Sequence, residues 1–181
     1  MATSLSTSLT NQQAGLQQKT SKLVKVVQDH EELATTELDT SDVVIFNLPL
    51  PSSAIVLKIE ILNDDLDSHA TPTLVSDIGI AAGEAYKDIT SGTTTRHAQN
   101  GVIDADLFVD GVTNLDTAST SFTQLVLDTA TAGADDMHKE IWELLGYDKD
   151  PQTVFNICLS HTAGAATAAA GDVILRVTYA N

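Results

Sequence analysis

Hydrophobic and polar residues alternate with a period of two along much of this 181-residue chain. The clearest stretch covers residues 55–61, where Ile or Leu occupies every second position and Lys58 and Glu60 lie between them. Side chains of a β-strand point alternately to opposite faces, so this pattern is typical of a strand with one buried face. We therefore expect the odd-numbered residues of this stretch to face a protein core.

Apolar runs and alternating patterns of the same kind recur along the chain. They cover residues 23–27, 43–48, 73–80, 102–109, 122–128, 155–159 and 173–179. Pro49 and Pro51 are expected to end the second of these predicted strands, because proline donates no hydrogen bond to a neighbouring strand. About eight strands with turns between them predict an all-β fold, a β-sandwich, and the jelly roll is the topology that best matches this number.

One segment in the C-terminal half departs from the period of two. Its apolar residues follow helical spacing: Met137, Ile141, Leu144 and Leu145. Gly146 stands where the C-terminus of a helix favours a left-handed residue. We therefore expect one short helix over about residues 135–146.

The first 21 residues are rich in Ser, Thr, Gln and Asn and contain few large apolar side chains. Such a segment buries too little surface to offset the entropy lost on ordering. The sequence therefore predicts a flexible, extended N-terminal arm over residues 1–21 and a single β-sandwich domain over residues 22–181.

Four residues are candidates for contacts between subunits: Lys19, Lys22, Lys25 and Trp142. The three lysines form a local positive stripe in a chain of net charge -16, and such a stripe suits the acidic surface of an adjacent copy. The alternative is that they only keep an edge strand soluble. For Trp142, packing between helix and sheet is favoured over an anchor at an interface.

Charge and composition exclude several classes of function. A chain with 25 acidic and 9 basic residues is repelled by phosphate backbones and by anionic lipid, so we expect neither nucleic-acid nor membrane binding. No apolar span is long enough for a transmembrane helix, and the N-terminus does not resemble a secretory signal. The single cysteine, Cys158, is expected to be a buried, inert thiol in a protein made in the cytoplasm.

The acidic cluster that follows residues 55–61 is the best candidate for a metal site. Asn63, Asp65 and Asp67 resemble the start of an EF-hand loop, but Ser68 stands where that loop needs glycine and Leu74 where it needs a bidentate acid. We therefore favour a solvated acidic turn between two strands over a calcium site, with these three residues as weak candidate ligands.

Catalytic motifs do not emerge from the sequence. The five histidines show no metal-ligand spacing, and there is no nucleophile elbow, P-loop or dinucleotide fingerprint. We therefore expect a protein without enzymatic activity and without a cofactor.

Three blocks of the chain have a pattern of strands and turns that is found in a known family: DVVIFNLPLPSSAIVLKIEI, TPTLVSDIGIAAG and EIWELLGYDKDPQTVFNICLSHTAGAATAAAGDVILRVTYAN. They resemble small virion structural proteins of tailed bacteriophages. The first resembles a strand, a Leu-Pro turn and a second strand, and the third resembles a helix, an Asp-Pro step and two final strands. Together they cover about half of the chain, and the resemblance carries over no catalytic residue.

What this resemblance implies is a capsid cement or decoration protein that binds the major capsid protein on the head surface of the virion. A homo-oligomer, with a trimer favoured, is natural for a clamp on such a lattice. One alternative is a tail, fibre or adaptor component of the phage particle. A calcium- or carbohydrate-binding β-sandwich module is a further alternative.

Overall fold

The computed structural model describes residues 23–83, 101–127 and 138–181 of the chain. Within them, nine β-strands and one α-helix form. The strands are β1 (Val24–Leu33), β2 (Val43–Ile45), β3 (Leu50–Pro51), β4 (Ile55–Asn63), β5 (Val75–Ala82), β6 (Val102–Val112), β7 (Thr123–Leu125), β8 (Val154–Ala163) and β9 (Gly171–Ala180). The helix α1 (Ile141–Leu144) precedes β8. The expected arm, residues 1–21, lies outside the described residues.

The strands form two antiparallel sheets that pack face to face. One sheet has the order β1-β9-β4-β7, and the other has the order β2-β8-β5-β6, with β3 also paired to β8. Most connections cross from one sheet to the other, which is the double Greek-key arrangement of a jelly roll. The all-β sandwich predicted from the alternation is thus confirmed, and the strand order is that of a jelly roll.

The space between the sheets is filled by aliphatic side chains. Ile59 and Val177 of the first sheet, with Ile80 and Leu159 of the second, are fully buried in one continuous hydrophobic cluster. The chain has few aromatic residues, so this core depends mainly on Val, Ile and Leu, of which each fully buried side chain contributes roughly 1.5–3 kcal/mol.

The prediction for residues 55–61 was partly wrong. Ile59 and Ile61 are buried as expected, but Val56 is also buried, whereas Leu57 is 44% exposed. The register against β9 shifts between Val56 and Lys58, which marks a β-bulge. An extra residue at a bulge reverses the faces of the side chains that precede it, so the start of β4 turns Leu57 to the outside.

The two prolines after β2 do not end pairing with β8. Pro51 lies in β3, opposite Val154, and residues 46–49, which include Pro49, separate β2 from β3. β2 and β3 form the edge of their sheet, where a missing N–H donor on the solvent side costs little.

The predicted helix over residues 135–146 was too long. α1 occupies only Ile141–Leu144, Glu140 before it is extended, and residues 135–137 lie outside the described residues. The N–H groups of Ile141 and Trp142 donate to Ala54 and Ser52, so contact with the β3–β4 link sets where this helix begins. Gly146 has the expected left-handed backbone, with φ of 72°.

The sandwich has two different ends. At the loop end, the β1–β2, β4–β5, β6–β7 and β8–β9 connections come together through backbone hydrogen bonds. At the terminal end lie the β3–β4 link, α1, Leu23 and the C-terminal Asn181, whose backbone pairs with Leu23. No helix in the described parts of the chain is long and apolar enough to cross a membrane.

Candidate interaction surfaces

Large exposed apolar side chains gather at the terminal end. Eight are exposed in the described residues: Leu23, Val24, Val26, Leu57, Ile103, Val126, Tyr147 and Val154. Each lies near a chain terminus, in the first residues of a strand that starts there, or just after α1 or β7. Apolar residues scattered over a surface are ordinary, but a group confined to one end is typical of a contact surface. We call this group the apolar end.

Lys25 lies at the same end of the molecule. It is exposed near the start of β1, and its Nζ is 6.0 Å from the centroid of the Tyr179 ring. Lys19 and Lys22, the other two lysines of the predicted stripe, lie outside the described residues. The structure therefore locates one of the three lysines, on an edge strand.

Trp142 packs at the terminal end as well, and it is partly buried. Its indole Nε1 donates to Glu140 Oε2 at 2.7 Å, and its backbone N–H donates to Ser52 O at 3.1 Å. The indole bond is local to the start of α1, whereas the backbone bond joins α1 to the β3–β4 link. Whether it also anchors a subunit interface stays a prediction.

A charged network crosses the outer face of the β1-β9-β4-β7 sheet. Glu60 of β4 lies opposite Arg176 of β9, whose Nε donates to Glu60 Oε2 at 2.8 Å, and Lys58 Nζ is 2.6 Å from Glu60 Oε1. The guanidinium also stacks 3.7 Å from the centroid of the Phe122 ring. The hydrogen bonds from Arg176 and then Lys58 lower the pKa of Glu60 to about 2, although burial opposes this shift.

Asn63, the first candidate metal ligand, is buried at the loop end. Its side-chain amide donates to the carbonyl oxygens of Asp64, Asn114 and Thr117. Its Oδ1 accepts from the Ser119 hydroxyl at 3.1 Å. These bonds attach the β6–β7 loop to the end of β4, which is a structural role.

Asp67 joins two other loops at the same end. It is 1% exposed, and its Oδ2 accepts from the N–H groups of Thr73, Leu74 and Ala166 at 2.7, 3.2 and 2.9 Å. Its Oδ1 accepts from the Thr167 N–H at 2.8 Å. Burial alone would raise the pKa of Asp67, but these backbone donors outweigh it and hold the pKa well below its usual range.

The interpretation of this cluster as a solvated acidic turn was therefore wrong for Asn63 and Asp67. Asp65 fits it better, since it is partly exposed and, from the described residues, accepts only the Asp67 N–H at 3.2 Å. Among the described residues, no group of three His, Cys, Asp or Glu side chains is close enough together to hold a metal ion. The oxygen atoms of Asp67 are already used by the backbone of the β4–β5 and β8–β9 loops.

A second group of carboxylates lies on the paired strands β5 and β6. Burial, and then the neighbouring Asp106, raise the pKa of Asp104. Burial also raises the pKa of Asp77, with further effects from Asp110 and Asp106, although the Gly111 N–H donates to Asp77 at 2.9 Å. These side chains are crowded carboxylates whose negative charge is disfavoured in the folded chain.

Cys158 is fully buried in β8, as the sequence predicted. Burial raises the pKa of its thiol to about 12, so the reactive thiolate is absent at neutral pH.

Sequence reasoning missed two features of these surfaces. The alternation places Lys58, Glu60 and Arg176 on outward positions, but nothing local shows that β4 and β9 are neighbours. The apolar end was missed because Val24, Val26 and Leu57 read as core positions of predicted strands. A signal for Val24 and Val26 was available, since the second half of β1 carries charged residues on both faces.

Comparison with known proteins bears on the fold. No protein-family model matches the chain, and no curated protein matches its sequence. A chain of the capsid asymmetric unit of cyanophage Pam1 matches with a TM-score of 0.56 and 21% identity, covering 90% of this chain and 88% of that one. A chain of the capsid of Ralstonia phage GP4 matches with a TM-score of 0.59 and 17% identity, covering 91% and 88%. The jelly roll of this protein is therefore similar, over nearly its whole length, to chains in two bacteriophage capsids.

Proposed function

We propose that this protein is a non-enzymatic structural component of a bacteriophage virion, a cement or decoration protein that binds the major capsid protein and stabilises the head. The observation that carries the proposal is a jelly roll similar to chains of two phage capsids, with its exposed large apolar side chains gathered at one end. That end supplies a contact surface on an otherwise polar and acidic molecule.

The physical requirements of a capsid clamp match this arrangement. The two packed sheets form a stiff body. At the loop end, hydrogen bonds of Asn63 and Asp67 join the loops to one another. Several apolar contacts of modest strength at the other end suit repeated attachment to a lattice, because linked weak contacts add up to strong avidity. In this proposal residues 22–181 form one domain, and residues 1–21 are a flexible arm that adds a further contact.

Within this proposal the protein acts on the outer surface of the head, and copies group as trimers that match a three-fold position of the lattice. The net charge of -16 then keeps unbound copies soluble and apart from nucleic acid.

Binding to heads assembled without this protein tests the proposal. Val126→Glu and Tyr147→Glu place a charge in the apolar end, at side chains that are 83% and 41% exposed. We expect each variant to keep the melting temperature of the wild type and to bind heads at least about 10-fold more weakly, since a buried unpaired charge costs more than about 1.4 kcal/mol.

Thr71→Glu, at an exposed position of the loop end, is the matched control and should bind like the wild type. If the control and the two apolar-end variants bind equally, the apolar end is not the contact surface. If the wild type binds tails and not heads, the cement role is wrong and the tail or adaptor alternative replaces it. Cryo-EM of the bound particle locates the copies directly.

A further inference from the structure

Strand β1 presents an open edge. Among the described strands it pairs only with β9, at the border of its sheet. Leu23 and Asn181 exchange both backbone hydrogen bonds, at 3.0 and 3.1 Å, so the odd-numbered residues of β1 direct their N–H and C=O groups to β9. The even-numbered residues, Val24 to Glu32, therefore direct theirs away from the sheet. A strand of ten residues with such an edge is a template for another strand.

Basic and acidic residues occupy different halves of this strand. Basic residues come first, with Lys25 in β1 and Lys22 three positions earlier in the sequence, and acidic residues follow at Asp29, Glu31 and Glu32. A segment that is positive in its first half and negative in its second half is complementary to itself when two copies run antiparallel.

We propose that β1 is a docking surface for a second copy of this chain, with the two β1 edges paired antiparallel about a two-fold axis at Val27. A two-fold axis perpendicular to the sheet pairs odd residues with odd residues and even with even. With Val27 opposite itself, Lys25 lies opposite Asp29 of the second copy. The even-numbered residues then exchange backbone hydrogen bonds across the new junction.

Neighbouring registers pair Lys25 less well. With Gln28 opposite itself, Lys25 faces Glu31, which is only 3% exposed. With Val26 opposite itself, Lys25 faces Val27. The register centred on Val27 also uses a carboxylate that is already positioned, because Asp29 Oδ2 accepts the Asn47 N–H at 2.7 Å.

Cross-linking tests the register. Val27 opposes itself in a non-hydrogen-bonded pair, where the Cα atoms are about 4.5 Å apart and a disulfide can form. Under mild oxidation, Val27→Cys should give a dimer of about twice the 19.1 kDa chain, whereas Gln28→Cys, which faces Val26, should not. The wild type is the control, since its only cysteine is buried. Cross-linking of Gln28→Cys alone, or of neither variant, overturns the proposed pairing.

Exchanging the charges of Lys25 and Asp29 tests this complementarity, with the association of the full chain measured by sedimentation. Lys25→Glu and Asp29→Lys should each weaken β1-mediated association about 10-fold, because each places like charges opposite one another. The double variant restores opposite charges and should return to within about 3-fold of the wild type. If the double variant is as weak as the single ones, or if the wild type does not associate, the proposal is wrong.

Backbone pairing has its own test. The N–H of Gln28 points away from β9, so Gln28→Pro removes a donor from the open edge and leaves the β1–β9 ladder intact. We expect Gln28→Pro to melt like the dissociated wild-type chain but to lose association. Gln28→Thr should associate normally. Equal association of the two variants contradicts edge pairing. These outcomes do not depend on head binding. The β1 pairing can therefore be wrong while the cement role is right, and the cement role can be wrong while the β1 pairing is right.

Discussion

Replacing Asp67 by asparagine tests whether this carboxylate is the main link between the β4–β5 and β8–β9 loops. The carboxylate accepts three N–H groups at Oδ2 and the Thr167 N–H at Oδ1, with a longer contact of 3.4 Å from the His69 N–H. An asparagine side chain has one oxygen and one amide nitrogen. Whichever way it is oriented, the nitrogen faces at least two N–H donors and cannot accept from them.

The cost follows from these bonds. A donor that loses its partner in a buried site costs roughly 1–3 kcal/mol, and bonds to a charged acceptor lie at the upper end. Ala166 and Thr167 are themselves exposed, so water partly replaces the lost acceptor for their N–H groups. We therefore expect Asp67→Asn to lower the free energy of unfolding by about 3 kcal/mol at pH 7.

Urea unfolding followed by circular dichroism measures this change. With an m-value of about 2 kcal/mol/M, the midpoint should fall by about 1.5 M. The matched control is Asp65→Asn, because Asp65 accepts a single N–H from the described backbone, at 3.2 Å, and its midpoint should fall by less than about 0.5 M. A shift for Asp67→Asn no larger than that of the control would refute the structural role of the Asp67 carboxylate.

Two further predictions concern pH. Because the folded pKa of Glu60 is lowered to about 2 from 4.5, its stabilising contribution is complete above about pH 4.5 and is lost as the pH falls towards 2. Glu60→Gln should therefore cost about 1–2 kcal/mol at pH 7, after allowance for solvent screening, and the difference from the wild type should shrink in acid; a constant difference would contradict this. The pKa of Asp104 is raised, so its charge destabilises the folded chain as the pH rises through that pKa. Asp104→Asn should raise the melting temperature at pH 7 and leave it unchanged in acid, and a lower melting temperature at pH 7 would show that the carboxylate is needed.

The strands were predictable because the relevant signal is local. Side-chain direction alternates along any extended chain, so one buried face leaves a period of two in the sequence, as in β9. Departures from this pattern came from tertiary contacts. Leu57 looks like a core residue, and only the bulge against β9 turns it outward. α1 begins at Ile141 because the β3–β4 link takes its first N–H groups.

The candidate ligands show the same division. Four polar residues with similar side chains lie close together in the sequence: Asn63, Asp64, Asp65 and Asp67. The stretch itself does not show which of them is buried. Asp67 differs from its neighbours because it accepts the N–H groups of Ala166 and Thr167, which lie 99 and 100 positions away in the sequence. Its role as a structural acceptor therefore depends on a loop that local reasoning could not place beside it.

Composition and short-range alternation are enough to predict the all-β class, most of the strands, the acidic charge and a buried Cys158. The tertiary structure decided which strands are neighbours, and thereby the pairing of Glu60 with Arg176, the burial of Asp67 and the gathering of exposed apolar side chains at one end. These depend on contacts between distant segments. β1 and β9 pair although they lie near opposite ends of the described sequence, so no short stretch of the chain contains both strands.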